Sequence, residues 1–161
     1  MPKTPSSYPD YAARCDPRLP AKALKYRLDY PPPLTTTRFL NGFNVTAWLY
    51  EDKAGMQDIR VELNTTIEEL QQKFGAANTP DAEVGFHSEM IAAQWFRRKS
   101  QFRILQIFSE RIPCPMMCAP MLRTYYPGVP WYYYYDRRSW KGSNGKRLRQ
   151  PADILKSVYE L

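Results

Sequence analysis

Histidine and cysteine are nearly missing from this chain. Its 161 residues hold one histidine and three cysteines. So few thiols exclude a disulfide framework. A structural zinc wants four protein ligands, and Cys15, far in sequence from Cys114 and Cys118, is the only fourth on offer beside His87. No apolar run is long enough to span a bilayer, and residues 1–30 carry no charged-then-apolar signal pattern. The expectation is work in a reducing aqueous compartment, or delivery to one by another protein's machinery, with no membrane partner. No internal repeat is visible. Acids are the minority charge, sixteen against twenty-three Lys and Arg, for a net charge of +7. A basic surface suits an anionic partner, nucleic acid first, although a merely soluble basic protein shares that balance.

The length fits one domain with a core that needs no staples. Aromatics are plentiful, with twelve Tyr, seven Phe and four Trp; such rings fill cores and also stack bases. Residues 1–33 hold eight of the fifteen prolines. Proline removes backbone donors and disfavours helix in the residue before it. That segment is expected to be an extended arm or linker with a short helix over 21–27, ended by the three prolines at 31–33. Cys15 is read as a small residue of that arm. The basic residues Arg14, Arg18, Lys22, Lys25 and Arg27 are expected in solvent. The domain proper is expected over 34–161.

Large apolar groups on both alternating faces predict a strand over 38–51, buried on both sides. A turn over 52–55 leads to a strand over 56–63, making an antiparallel hairpin. A helix over 66–74 has a capping box from Thr66 and Glu69, and a polar loop over 76–85 follows. A helix over 89–98 buries Ile91, Ala92, Trp95 and Phe96. An apolar strand over 101–109 runs into a helix over 113–125, where Met116, Met117, Met121 and Leu122 read as core. A strand of bulky rings spans 129–135. Residues 137–149 hold six Lys or Arg and no acid, forming a basic loop or a short strand, antiparallel to the last if it returns beside it. A final helix over 151–159 turns Ile154, Leu155, Val158 and Tyr159 inward.

The order of elements is that of an α/β protein built on one mixed sheet. Within it, two segments stand out. One is His87-Ser88-Glu89. The other is Pro113-Cys114 followed, after three residues, by Cys118. A catalytic zinc takes three protein ligands and keeps a fourth position for water; one imidazole and two thiolates meet that count. Taken singly, a lone histidine, a helix Glu and two buried thiols are ordinary structural residues. Their combination, with a proline before the first cysteine and a strand entering it, is less easily accidental. A four-residue step also puts both sulfurs on one face if the segment is helical.

These segments resemble the zinc-dependent cytidine deaminase superfamily, whose signature is H-x-E and then P-C-x-x-C. The chain departs from it by one extra residue between the cysteines, a spacing that the AID/APOBEC-type polynucleotide deaminases tolerate. The resemblance covers residues 86–136, about a third of the chain. It implies a three-layer α-β-α sandwich around a mixed sheet of about five strands. It also implies Zn²⁺ held by His87, Cys114 and Cys118, with Glu89 as the proton shuttle for attack at C4 of cytosine or C6 of adenine. Phe86, Ser88, Trp131, Tyr134, Tyr135, Asp136, Arg137 and Arg138 fall where that family contacts its substrate, although at least two of the tyrosines at 132–135 must fill the sheet. The basic run after the rings could track phosphates, and a single strand spares the cost of extruding a base. The expected reaction is deamination of cytosine in single-stranded DNA, with RNA the second candidate. The compact, proline-armed chain also resembles the deaminase toxin domains of bacterial polymorphic toxins. That likeness implies secretion as part of a larger toxin, action in a target cell's cytoplasm, and a cognate immunity protein. Two rival readings stand beside this one: a deaminase of RNA, adenine or free nucleotides, and a non-catalytic zinc-stabilised nucleic-acid binder.

Overall fold

The computed structural model describes residues 11–64, 72, 87–97, 99–136 and 150–161. Apart from residue 72, which is helical, the helix and loop expected over 66–85, and the basic segment over 137–149 with its strand direction, lie outside the described residues. The described chain is α/β, with one mixed four-stranded sheet and five helices.

The first helix, α1 (Arg18–Asp29), is longer than expected. Pro20 sits in its first turn, where a missing N–H costs nothing. The Asp16 carboxylate accepts the Arg18 N–H at 2.9 Å. The helix gives way to extended backbone at Tyr30, just before a proline, as sterics require. Leu19, Ala23 and Arg27, spaced four apart, form one stripe (Pro20 lies beside it), and all are buried. The short helix expected over 21–27 thus lies within α1, and its stripe joins the core.

Arg27 corrects the expectation of a solvated cation, because its side chain is wholly buried. Its guanidinium grips Glu110 in a fork, Nε to Oε2 at 2.9 Å and Nη2 to Oε1 at 2.8 Å. It also donates to the carbonyls of Leu34 and Phe43. Glu110 in turn accepts the Val45 N–H and the Tyr159 hydroxyl. Every charge in this cluster is matched, which is the condition for burying it. Burial is the largest single influence and works to depress the Arg27 pKa, but the charge and hydrogen bonds of Glu110, with Tyr159 and Tyr135, together outweigh it and the net direction is up.

The segment expected as one strand over 38–51 divides. Residues Thr37–Gly42 form a short helix, α2, and the strand β1 begins only at Val45 and runs to Glu51. The apolar alternation starts there too, which is why pairing starts there. Its burial on both faces is as expected: Val45, Ala47 and Leu49 join one apolar cluster, Trp48 and Tyr50 another. A turn follows in which the Asp52 carboxylate accepts the N–H groups of Ala54 and Met56, and Gly55 takes a φ of +80° that side chains resist. β2 (Gln57–Leu63) then returns antiparallel to β1, completing the expected hairpin.

The remaining elements are α3 (Ser88–Phe96), β3 (Arg103–Arg111), α4 (Cys118–Tyr125), β4 (Trp131–Tyr135) and α5 (Pro151–Val158). The sheet order is β2-β1-β3-β4. β3 pairs antiparallel with β1 and parallel with β4, with α4 as the crossover. The first cluster gathers α1, α2 and α5 against the sheet; the second gathers α3 and α4 around Trp48 and Ile107. The expected inward faces of α3 and α5 are buried, apart from a half-buried Trp95. In α4, Met121 and Leu122 are core, whereas Met116, expected there, is 83% exposed because it precedes the helix. Among the described residues no helix is long and apolar enough to cross a membrane.

Candidate metal and catalytic site

The start of α3, the chain beyond β3 and the start of α4 meet at one pocket of about 420 Å³. His87 is the capping residue of α3, with extended backbone, and its carbonyl accepts the Ile91 N–H. Ser88 and Glu89 occupy the first turn and are buried. A carboxylate there faces the positive end of the helix dipole. Pro113, Cys114 and Pro115 also line the pocket. Pro115 disfavours helical backbone at Cys114, so α4 begins only at Cys118. The expected helix from 113 is thus shortened, and Cys114 lies in the turn before it rather than one helical step below Cys118. The Cys114 carbonyl accepts the Ala119 N–H at 2.8 Å, tying that turn to the helix.

His87, Glu89 and Cys118 offer one ligand atom each within 4.8 Å of one another, the one such group of three among the described residues. Cys118 Sγ lies 3.3 Å from His87 Nδ1. Tetrahedral zinc with ordinary N and S bond lengths separates two such ligands by roughly 3.5 Å, so this pair fits one ion. Cys118 Sγ is also 3.6 Å from Glu89 Oε2. Cys114 lines the same pocket but falls outside the group of three. The donor chemistry agrees with a cation. Burial, then the charges of Glu89 and Cys114, push the Cys118 thiol far above its usual range. A buried thiol beside a buried carboxylate stays protonated on its own, and a divalent cation is what releases its proton.

Glu89 is held by neighbours that the sequence reading did not single out. Its Oε1 accepts the Ser109 hydroxyl at 2.6 Å and an Asn44 amide N–H at 3.2 Å. Ser109 follows the apolar pair Ile107-Phe108 on β3, and Asn44 directly precedes β1. A polar residue at the end of an apolar run, near the motif, was the signal available. Arg111 and Arg123 also line the pocket and are exposed; neither forms an ion pair among the described residues.

The expected substrate contacts divide. Ser88, Trp131 and Asp136 line the pocket. The Arg123 guanidinium stands 5.8 Å from the Trp131 ring centroid. Tyr134 and Tyr135 are buried in the core instead, away from the pocket wall. The Tyr134 ring packs edge-on against Phe108 and Tyr159, and burial pushes the Tyr135 hydroxyl up to about 12. Phe86, Arg137 and Arg138 lie outside the described residues.

Against protein-family models, curated proteins and solved structures, the chain has no match.

Proposed function

We propose that this chain is a zinc-dependent cytosine deaminase acting on single-stranded polynucleotide, DNA before RNA. The observation that carries the reading is the close approach of His87, Glu89 and Cys118, beside a pocket that His87, Glu89 and Cys114 line. Ligand-type residues and a proton-transfer carboxylate from two distant segments converge there, in the order and chemistry of the H-x-E and P-C motifs. The full fold in this reading is a three-layer α-β-α sandwich with a fifth strand.

His87, Cys114 and Cys118 would hold the zinc. When bound, zinc supplies a water acidified towards neutrality. The chain's own part is acid–base work. Glu89 Oε2 takes the proton of the attacking water and passes it to the nitrogen that departs, so that cytosine and water become uracil and ammonia. Burial of Glu89 keeps competing solvent from that proton. Trp131 offers a face for base stacking, and Arg111 and Arg123 beside it offer charge for phosphates. The same reading makes the chain a toxin domain, carried by a larger secreted protein to a target cell's cytoplasm and restrained by a cognate immunity protein. The support for that last part is the sequence resemblance alone.

The test is uracil release. The full chain, loaded with zinc, is incubated with a cytosine-containing single-stranded DNA oligonucleotide beside Glu89→Ala. Uracil from the native chain and none from the variant is the expected outcome. No uracil at stoichiometric zinc refutes the DNA-cytosine claim; the same assay on RNA, adenine and free nucleotides then decides whether any deaminase reading survives.

A further inference from the structure

We propose that Ser109 and Asn44 are positioning residues: together they anchor Glu89 Oε1 and so leave Oε2 as the oxygen that moves the proton. The inference rests on the deaminase reading and adds to it two residues outside both motifs.

The two carboxylate oxygens are treated differently. Oε1 accepts the Ser109 hydroxyl at 2.6 Å and the Asn44 amide at 3.2 Å. Among the described residues Oε2 has only distant partners, the Ser88 hydroxyl at 3.4 Å and the Cys118 thiol at 3.6 Å. The anchored oxygen points into the sheet; the loosely held one points at Cys118, where the ligand group converges. A free carboxylate turns readily about its last bond and exchanges its oxygens. The short Ser109 bond on one oxygen, with a shared Asn44 N–H beside it, opposes that exchange.

The donors are themselves fixed. Asn44 Nδ2 also lies 2.9 Å from Ser109 Oγ and 3.0 Å from Ser88 Oγ, so its two N–H groups serve three oxygens and its hold on Oε1 is shared, the Ser109 hydroxyl being the short bond. Its Oδ1 accepts the Arg111 N–H at 2.9 Å, and its own N–H donates to Asn64 Oδ1 at 2.7 Å. The Arg111 bond sets which end of the amide is the donor. Ser109 is fully buried on β3, in register with Thr46 of β1. The anchor therefore stands on β3 and on the residue that leads into its neighbour β1, rather than on the helix that carries Glu89. Proton transfer depends on holding such groups within a fraction of an ångström.

The experiment compares native chain, Ser109→Ala and Asn44→Ala at equal zinc content, measured per chain by metal analysis. Each variant is expected to keep its zinc and a KM within about twofold, and to lose on the order of 10- to 100-fold in kcat. Unchanged kcat in both variants overturns the proposal; so does a loss confined to KM. A second readout needs no activity. In a urea-unfolding cycle of Ser109→Ala, Glu89→Ala and the double variant, the two changes should be coupled by about tenfold in the folding equilibrium. Additive effects overturn the anchor even if the native chain deaminates. Strong coupling in a chain that deaminates nothing keeps the anchor and discards the deaminase reading.

Discussion

Arg27→Met should be among the most destabilising single changes in this protein. Methionine keeps the buried apolar stem and deletes the charge. Glu110 would then lose a two-pronged partner at 2.8 and 2.9 Å in a place with no solvent. The carbonyls of Leu34 and Phe43 would lose their guanidinium donors. Removing one partner of a buried ion pair typically costs about 3–5 kcal/mol, because the other charge stays behind. The Val45 N–H and the Tyr159 hydroxyl still reach Glu110, which argues for the lower half of that range. For a chain of this length the loss corresponds to a fall in Tm of roughly 6–20 °C. The control is Lys25→Met on the same helix. Its ion pair with Asp29 is largely exposed, and exposed pairs contribute about 0–1 kcal/mol. Urea denaturation of both variants, followed by circular dichroism, gives the comparison. If Arg27→Met costs no more than Lys25→Met, the clasp between α1, β3 and Tyr159 does not hold the fold together as argued.

Two further outcomes follow from the metal group and the remaining thiol. Chelation should remove one zinc per chain and lower Tm, and Cys118→Ser should reduce zinc stoichiometry while Cys15→Ser leaves it unchanged; metal analysis after gel filtration reads this, and equal loss from both cysteine variants would contradict the assigned ligands. Cys15 should also resist alkylation. Burial first and the Asp16 charge second push its thiol up to about 12, so at pH 8 its thiolate is scarcer than that of a free cysteine by two to three orders of magnitude, roughly. Iodoacetamide labelling of Cys15 in the folded chain at a free-cysteine rate would refute that burial.

Much of the architecture was legible without coordinates, for local reasons. The β1–β2 hairpin follows from apolar alternation and the Asp52–Gly55 turn, both short-range. The inward face of α5 follows from helical spacing. The convergence of His87 and Cys118 was expected from motif chemistry, and the 3.3 Å approach agrees with it. The errors were also local. A strand drawn through 38–44 overlooked a short helix that Gly42 ends. A helix drawn from 113 overlooked what Pro115 does to Cys114. The short helix expected over 21–27 extends to Arg18–Asp29, because proline early in a helix is harmless.

By itself, then, the sequence determined the elements whose signals lie within a few residues, and the residue types able to bind a metal and move a proton. Tertiary structure decided what each buried polar group would meet. Arg27 finds Glu110 across 83 positions of chain, and Ser109 finds Glu89 across twenty. No local pattern encodes such partners. They depend on the strand order β2-β1-β3-β4 and on the parallel seating of β4 beside β3. A buried donor or acceptor cannot be left unpaired without cost, so the packing that closed the core also chose the groups that hold Glu89.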